Sequence, residues 1–93
     1  MIDEIIEGQK IRCYDNGGKT CDRYTVVYMD QQHPQEGVFE SVGMNGAPFH
    51  PQGFGQHGGA MPGKHLGRRV PFESLPADCQ KLVRQDLSTE ESV

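Results

Sequence analysis

Gln9-Lys10-Ile11-Arg12-Cys13-Tyr14, the turn Asp15-Asn16-Gly17-Gly18, and Tyr24-Thr25-Val26-Val27-Tyr28-Met29 together decide how this chain folds. From Lys10 to Tyr14 polar and apolar residues alternate, the period of two that a strand with one solvated face requires. Asp15 to Gly18 supplies residues that tolerate positive φ, the chemistry of a hairpin reversal. The run from Tyr24 to Met29 is β-branched or apolar on both faces, so it is expected at the centre of a sheet, covered on both sides and by a C-terminal helix on one.

Working outward, residues 1–8 place Ile2, Ile5 and Ile6 among Asp3, Glu4 and Glu7, which fits either a half-strand or one amphipathic turn. After Met29, the polar stretch Asp30-Gln31-Gln32-His33-Pro34-Gln35-Glu36-Gly37 is expected to protrude as a loop. Val38 to Met44 returns to β composition and predicts a third strand antiparallel to the second. Residues 43–67 then hold eight glycines, three prolines and three histidines with no helical or strand period, which predicts a long irregular excursion pinned by Phe49 and Phe54.

At the C-terminal end, Leu75, Cys79, Leu82, Val83 and Leu87 fall on one face of a helix through residues 77–87. Ser74 is the expected cap, Pro76 stands where a first-turn proline is tolerated, and Asp78 suits the positive end of the dipole. Residues 88–93 read as a frayed tail. The fold class is therefore α+β, with a three- to four-stranded antiparallel sheet, one C-terminal amphipathic helix and the Gly-rich loop. A chain of 93 residues with 34% apolar content and no Trp has the size and core of one small domain.

The net charge of −4 argues against a surface that coats nucleic acid or an anionic membrane throughout, while leaving room for a local basic patch. Apolar runs of two or three residues are too short to span a bilayer, and Met1-Ile2-Asp3-Glu4 lacks the basic start of a signal peptide, so a cytoplasmic location is expected. Three cysteines, Cys13, Cys21 and Cys79, leave one unpaired in a monomer, and reduced thiols are expected. Cys13 and Cys21 flank the first turn and could face each other across it. Cys79 reads as a small buried hydrophobe on the inner face of the helix.

Gly17-Gly18-Lys19-Thr20 looks like the end of a phosphate-binding loop, but the upstream glycine position is Cys13 and a β run follows instead of a helix, so a hairpin is expected there. His33, His50, His57 and His65 have no compact ligand spacing, and no metal or cofactor is expected. Two basic sets stand out. Lys64, His65, Arg68 and Arg69 form the densest cationic cluster, with Gly63 and Gly67 letting the backbone bend around an anion. Lys10, Arg12, Lys19 and Arg23, interleaved with Tyr14 and Tyr24, could bind single-stranded nucleic acid with bases stacked on a sheet face. Asp30, Gln31, Gln32 and Glu36 offer carboxylates and amides to a basic partner.

The string from Ile11-Arg12-Cys13-Tyr14-Asp15-Asn16-Gly17-Gly18-Lys19-Thr20-Cys21 through Asp22-Arg23-Tyr24-Thr25-Val26-Val27 resembles the opening of small proteins common in bacteriophages and prophages. Pro51-Gln52-Gly53-Phe54-Gly55-Gln56, His65-Leu66-Gly67-Arg68-Arg69-Val70 and Leu75-Pro76 are similar to the same group, so the resemblance covers most of residues 11–87. In size and acidity the chain also resembles anti-CRISPR proteins, most of which are not enzymes. That likeness implies stoichiometric binding to a CRISPR surveillance complex in the bacterial host, blocking target-DNA access or nuclease recruitment, and it transfers no functional residue by motif. The expected partner is therefore a host protein or nucleoprotein complex, bound through Asp30, Gln31, Gln32, Glu36, Lys64, His65, Arg68 and Arg69. A single-stranded nucleic-acid-binding module and a small metal- or thiol-dependent enzyme are the rivals.

Overall fold

The computed structural model describes residues 3–19, 22–45 and 55–89. The hairpin at the heart of the sequence is present: β2 (Gln9–Asp15) and β3 (Tyr24–Gln32) pair antiparallel, with Ile11 opposite Tyr28 and Cys13 opposite Val26. Asp15 and Asn16 build the turn between them. The Gly17 amide donates to Asp15 Oδ1 at 2.8 Å, and the Gly18 and Lys19 amides donate to Asn16 Oδ1 at 2.8 and 3.1 Å. Gly17 and Gly18 take φ of 76° and 92°, which side chains with a Cβ rarely adopt.

The N-terminal isoleucines form a half-strand, β1 (Glu4–Ile6), on the outer edge of β2, with Glu4 opposite Ile11. On the other side β3 pairs with β4 (Phe39–Met44), completing the expected three-strand meander. β3 runs further than its composition suggests, through Asp30, Gln31 and Gln32, because polar residues pair through their backbones as well as apolar ones do. Its register with β4 shifts between Val27 and Gln32. The expected loop is thus shortened to a reversal closed by bonds from the His33 amide to the Val38 carbonyl and from the Val38 amide to the Gln35 carbonyl.

The 43–67 excursion is corrected where it is described. β4 continues through Met44, β5 (Gly55–Ala60) pairs with it over six register positions from Phe39–Ala60 to Met44–Gly55, and Lys64–Leu66 is a 3₁₀ turn. Composition hid β5 because glycine carries no alternating side-chain signal, whereas the ladder needs only backbone N–H and C=O groups. Phe49 and Phe54 lie outside the described residues. A last short strand, β6 (Arg68–Val70), joins the edge of β2 beyond β1, setting Cys13 opposite Val70 and Asp15 opposite Arg68. The described sheet is therefore six-stranded, ordered β1-β2-β3-β4-β5 with β6 sharing the β1 edge of β2, against the three or four strands expected.

The helix α1 (Ala77–Thr89) lies on one face of this sheet, confirming the α+β class. Cys79, Val83 and Leu87 pack with Ile11, Cys13, Val26, Val42 and Met44, and Phe72 and Leu75 close the core at the helix entrance. Burying each such aliphatic side chain is worth about 1.5–3 kcal/mol, so this single layer supplies most of the fold's hydrophobic stabilisation. Central β3 is covered on both faces as expected, since Val26 and Val27 point to opposite sides and neither is exposed. Ser74 does not cap α1. It belongs to a 3₁₀ turn, Phe72–Ser74, and its hydroxyl donates to the Pro71 carbonyl at 2.7 Å, while the first helical bond runs from the Gln80 amide to the Pro76 carbonyl at 3.0 Å. The helix also continues through Ser88 and Thr89, so the tail is shorter than expected, and residues 90–93 lie outside the described residues. No described helix is long and apolar enough to cross a membrane.

Candidate anion-binding cleft

Two register pairs of β2 create the site. At its end, Asp15 stands opposite Tyr24 on one side and Arg68 on the other. The turn leaving β2 and the 3₁₀ turn entering β6 are thereby brought side by side. Their approach depends on Gly67, whose φ is 112° and where a Cβ would stand 2.4 Å from the Asp15 carbonyl oxygen. No other residue type fits against that backbone without moving it. The Gly67 amide is held by the Lys64 carbonyl at 3.0 Å, which fixes the 3₁₀ turn relative to the strand it feeds.

Between the two turns lies an open cleft of about 490 Å³ lined by Asp15, Asn16, Gly17, Lys19, Arg23, Lys64, Gly67 and Arg68. Lys19, Arg23, Lys64 and Arg68 give it four cationic side chains, of which Lys19 and Arg23 come from one sequence cluster and Lys64 and Arg68 from the other. Asp15 is the one carboxylate among the described residues that line it. Arg23 grips it with Nε on Oδ1 at 2.9 Å and Nη2 on Oδ2 at 3.3 Å. Those bonds hold the Asp15 carboxyl below the usual carboxylate range against desolvation, the next largest effect, with the Gly17 amide and the charges of Arg23 and Arg68 adding to the lowering. Even counted as a full anion, Asp15 leaves the cleft strongly positive, on a chain whose total charge is −4.

The remaining residues of both basic sets are placed elsewhere. Arg69 points to the opposite face from Arg68, with its guanidinium 5.6 Å from the centre of the Tyr14 ring and 3.8 Å from Asp3. Arg12 donates from Nε to the same Asp3 carboxylate at 2.6 Å. Lys10 and His65 are exposed and neither lines the cleft. Tyr14 is 3% exposed, so no face of it is open to a base, and Tyr24 is half-buried with Arg23 lying 5.2 Å over its ring. Asp30, Gln31 and Gln32 sit at the far end of β3, about 20–26 Å from Tyr24 at the usual rise per residue. There the Asp30 carboxylate accepts from the Lys10 amide at 2.9 Å and the Gln31 side chain donates to Gln9. Glu36 is exposed on the neighbouring reversal. The acidic and basic surfaces thus occupy opposite ends of the sheet.

The sequence reading missed Asp15 and Asn16 as parts of a site, and it named Gly67 only as a bend beside the Lys64–Arg69 cluster. Asp15 and Asn16 were legible as a turn, but their place in the cleft follows from the pairing of β6 with β2. The two described thiols, Cys13 and Cys79, do not line it. Cys13 is buried on the core face and burial pushes its pKa up to about 12, with the charge of Glu4 adding to the shift. Cys79 is buried as expected, and desolvation followed by the charge of Asp78 pushes it up to about 11. Cys21 and His50 lie outside the described residues, so the juxtaposition of Cys13 with Cys21 does too. No family model matches this chain, and neither the curated proteins nor the solved structures contain a match to it.

Proposed function

We propose that the protein is a non-enzymatic binding module that docks stoichiometrically on a host nucleoprotein complex, as a phage-type inhibitor does, with the basic cleft as its contact surface. The observation that carries this reading is the convergence of Lys19, Arg23, Lys64 and Arg68 from two distant segments onto one open cleft of an otherwise acidic molecule. Such a charge contrast orients a protein towards an anionic partner and speeds the encounter. The likeness to small bacteriophage proteins supplies the class of partner. An anti-CRISPR that denies a surveillance complex its target DNA is the specific form this reading takes. The raised pKa values of Cys13 and Cys79 weigh against those two thiols as nucleophiles, because the thiolate is the reactive form.

The test is affinity capture from bacterial host lysate with the tagged wild type and with a Lys64→Ala/Arg68→Ala variant, each with and without nuclease. A discrete nucleoprotein complex captured in stoichiometric amount by the wild type and lost by the variant is the expected result. No complex with either protein, or equal capture by both, overturns it. Circular dichroism of the variant checks that the sheet and helix are intact.

A further inference from the structure

Resting on that docking reading, we infer that the cleft grips the phosphodiester backbone of the nucleic acid in the complex, through side-chain charge alone and without reading bases. Three observations on the cleft lead there. First, a compact site for a single phosphate is built from converging backbone amides, and the turn that could supply them has them engaged. The Gly17 amide is bonded to the Asp15 carboxylate, and the Gly18 and Lys19 amides to the Asn16 side chain. What the cleft offers an anion is therefore the long, exposed side chains of Lys19, Lys64 and Arg68 and the outer guanidinium edge of Arg23. Several separate charges on flexible stems match a run of phosphates better than one small ion.

Second, base recognition in single strands relies on an aromatic face or a polar edge at the surface. The two tyrosines nearest this end of the sheet do not provide one: Tyr14 is buried with Arg69 over its ring, and the ring of Tyr24 is half-buried with Arg23 over it. Third, Asp15 lines the cleft with its side chain largely buried and is held by Arg23, so the ion pair sets the guanidinium in place while Lys19, Lys64 and Arg68 are exposed. An acidic protein segment could use the same charges, and it is separated from a nucleic acid by the test.

That test is fluorescence anisotropy of the whole chain with labelled dT, dA and rU 12-mers and a 12-base-pair duplex, across a salt series, with an acidic oligo-Glu peptide and inorganic phosphate as competitors. The expected result is binding that varies less than about threefold among the homopolymers and falls with salt on a log–log slope of about −3 for four phosphate contacts. Lys64→Ala/Arg68→Ala should reduce that slope by about 1.5 and weaken binding at least tenfold at low salt. The single-strand, RNA and duplex arms tell which strand supplies the phosphates. Strong base preference, a flat salt dependence, full competition by millimolar phosphate, or tighter binding of the oligo-Glu peptide each overturns the inference. The two readings fail separately. A complex captured by the wild type but no binding to oligonucleotides sinks the phosphate assignment alone, and base-blind binding without a captured complex sinks the docking reading alone.

Discussion

The Tyr28 hydroxyl and the His57 Nε2 both meet the same oxygen, Asp86 Oδ2, at 2.7 Å, so the centre of β3 and the edge strand β5 are tied to one carboxylate on α1. His57 stands opposite Val42 in the ladder and therefore shares the helix-facing side of the sheet. The contact gives a glycine-rich edge strand its one described side-chain link to the helix. Tyr28→Phe removes the hydroxyl without a cavity and is expected to cost about 1.5–3 kcal/mol in urea unfolding, the range for a bond to a charged acceptor. His57→Ala should change global stability little but raise hydrogen exchange at the β4 and β5 amides. Unchanged exchange there would show that the ladder alone holds β5.

Gly67 makes a sharper prediction. Its φ of 112° and the clash that an added Cβ would make with the Asp15 carbonyl mean that Gly67→Ala must shift backbone. A loss of about 2–3 kcal/mol is expected, at the upper end of what a strained dihedral alone costs. Gly17→Ala, at φ 76° with open space around it, should cost less, about 1 kcal/mol. Thermal melts of the two variants give the comparison, and equal losses would contradict the close packing of β6 on the turn.

The thiols predict a protection pattern. In a Cys21→Ser variant, Cys13 and Cys79 should be inert to a disulfide reagent at pH 8 in the native state and react together on unfolding, because both are buried and their thiolates are disfavoured. The sign of the pH effect follows. The unfolded chain loses these protons near the ordinary thiol value of about 8.5, while the folded one keeps them to about 11 and 12. Stability should therefore fall as pH rises above about 8.5. Replacing both with Ala should flatten that decline.

The ion pair of Asp15 and Arg23 acts at the other end of the pH scale. Asp15 is depressed in the folded state, so its contribution is fully present above the unfolded carboxylate value of about 3.9 and is lost as pH falls through the lower folded value. Asp15→Asn should be less stable than wild type at pH 6, with the difference closing as pH falls below the unfolded value of about 3.9. A carboxyl-carbon titration by NMR checks the direction. The same substitution removes the one carboxylate among the described residues lining the cleft and releases Arg23 from its ion pair, so oligonucleotide affinity should rise; a fall would mean that holding Arg23 in place outweighs the charge the pair cancels.

Much of the fold is legible in residues that carry a period. Lys10 to Tyr14 alternates, Tyr24 to Met29 is β-forming throughout, and Cys79, Val83 and Leu87 repeat at helical spacing, so two strands and the helix follow from local side-chain chemistry. The Gly17-Gly18 turn is legible for the same reason. β5, with three glycines and an alanine among its residues, has no such signature. The cleft was half legible: both cationic clusters stand out, but nothing local says that Lys19 and Arg23 face Lys64 and Arg68.

The amino-acid sequence by itself determined the central hairpin, the amphipathic helix and the burial of Cys79, because each depends on side chains near one another along the chain. Tertiary structure alone decided that Arg68-Arg69-Val70 pairs with the end of β2, that Arg68 enters the cleft while Arg69 turns to Tyr14 and Asp3, and that Asp15 lies among the cations. The physical reason is that a three-residue strand chooses its partner through backbone hydrogen bonds and a glycine contact, which leave almost no pattern in the residues that make them.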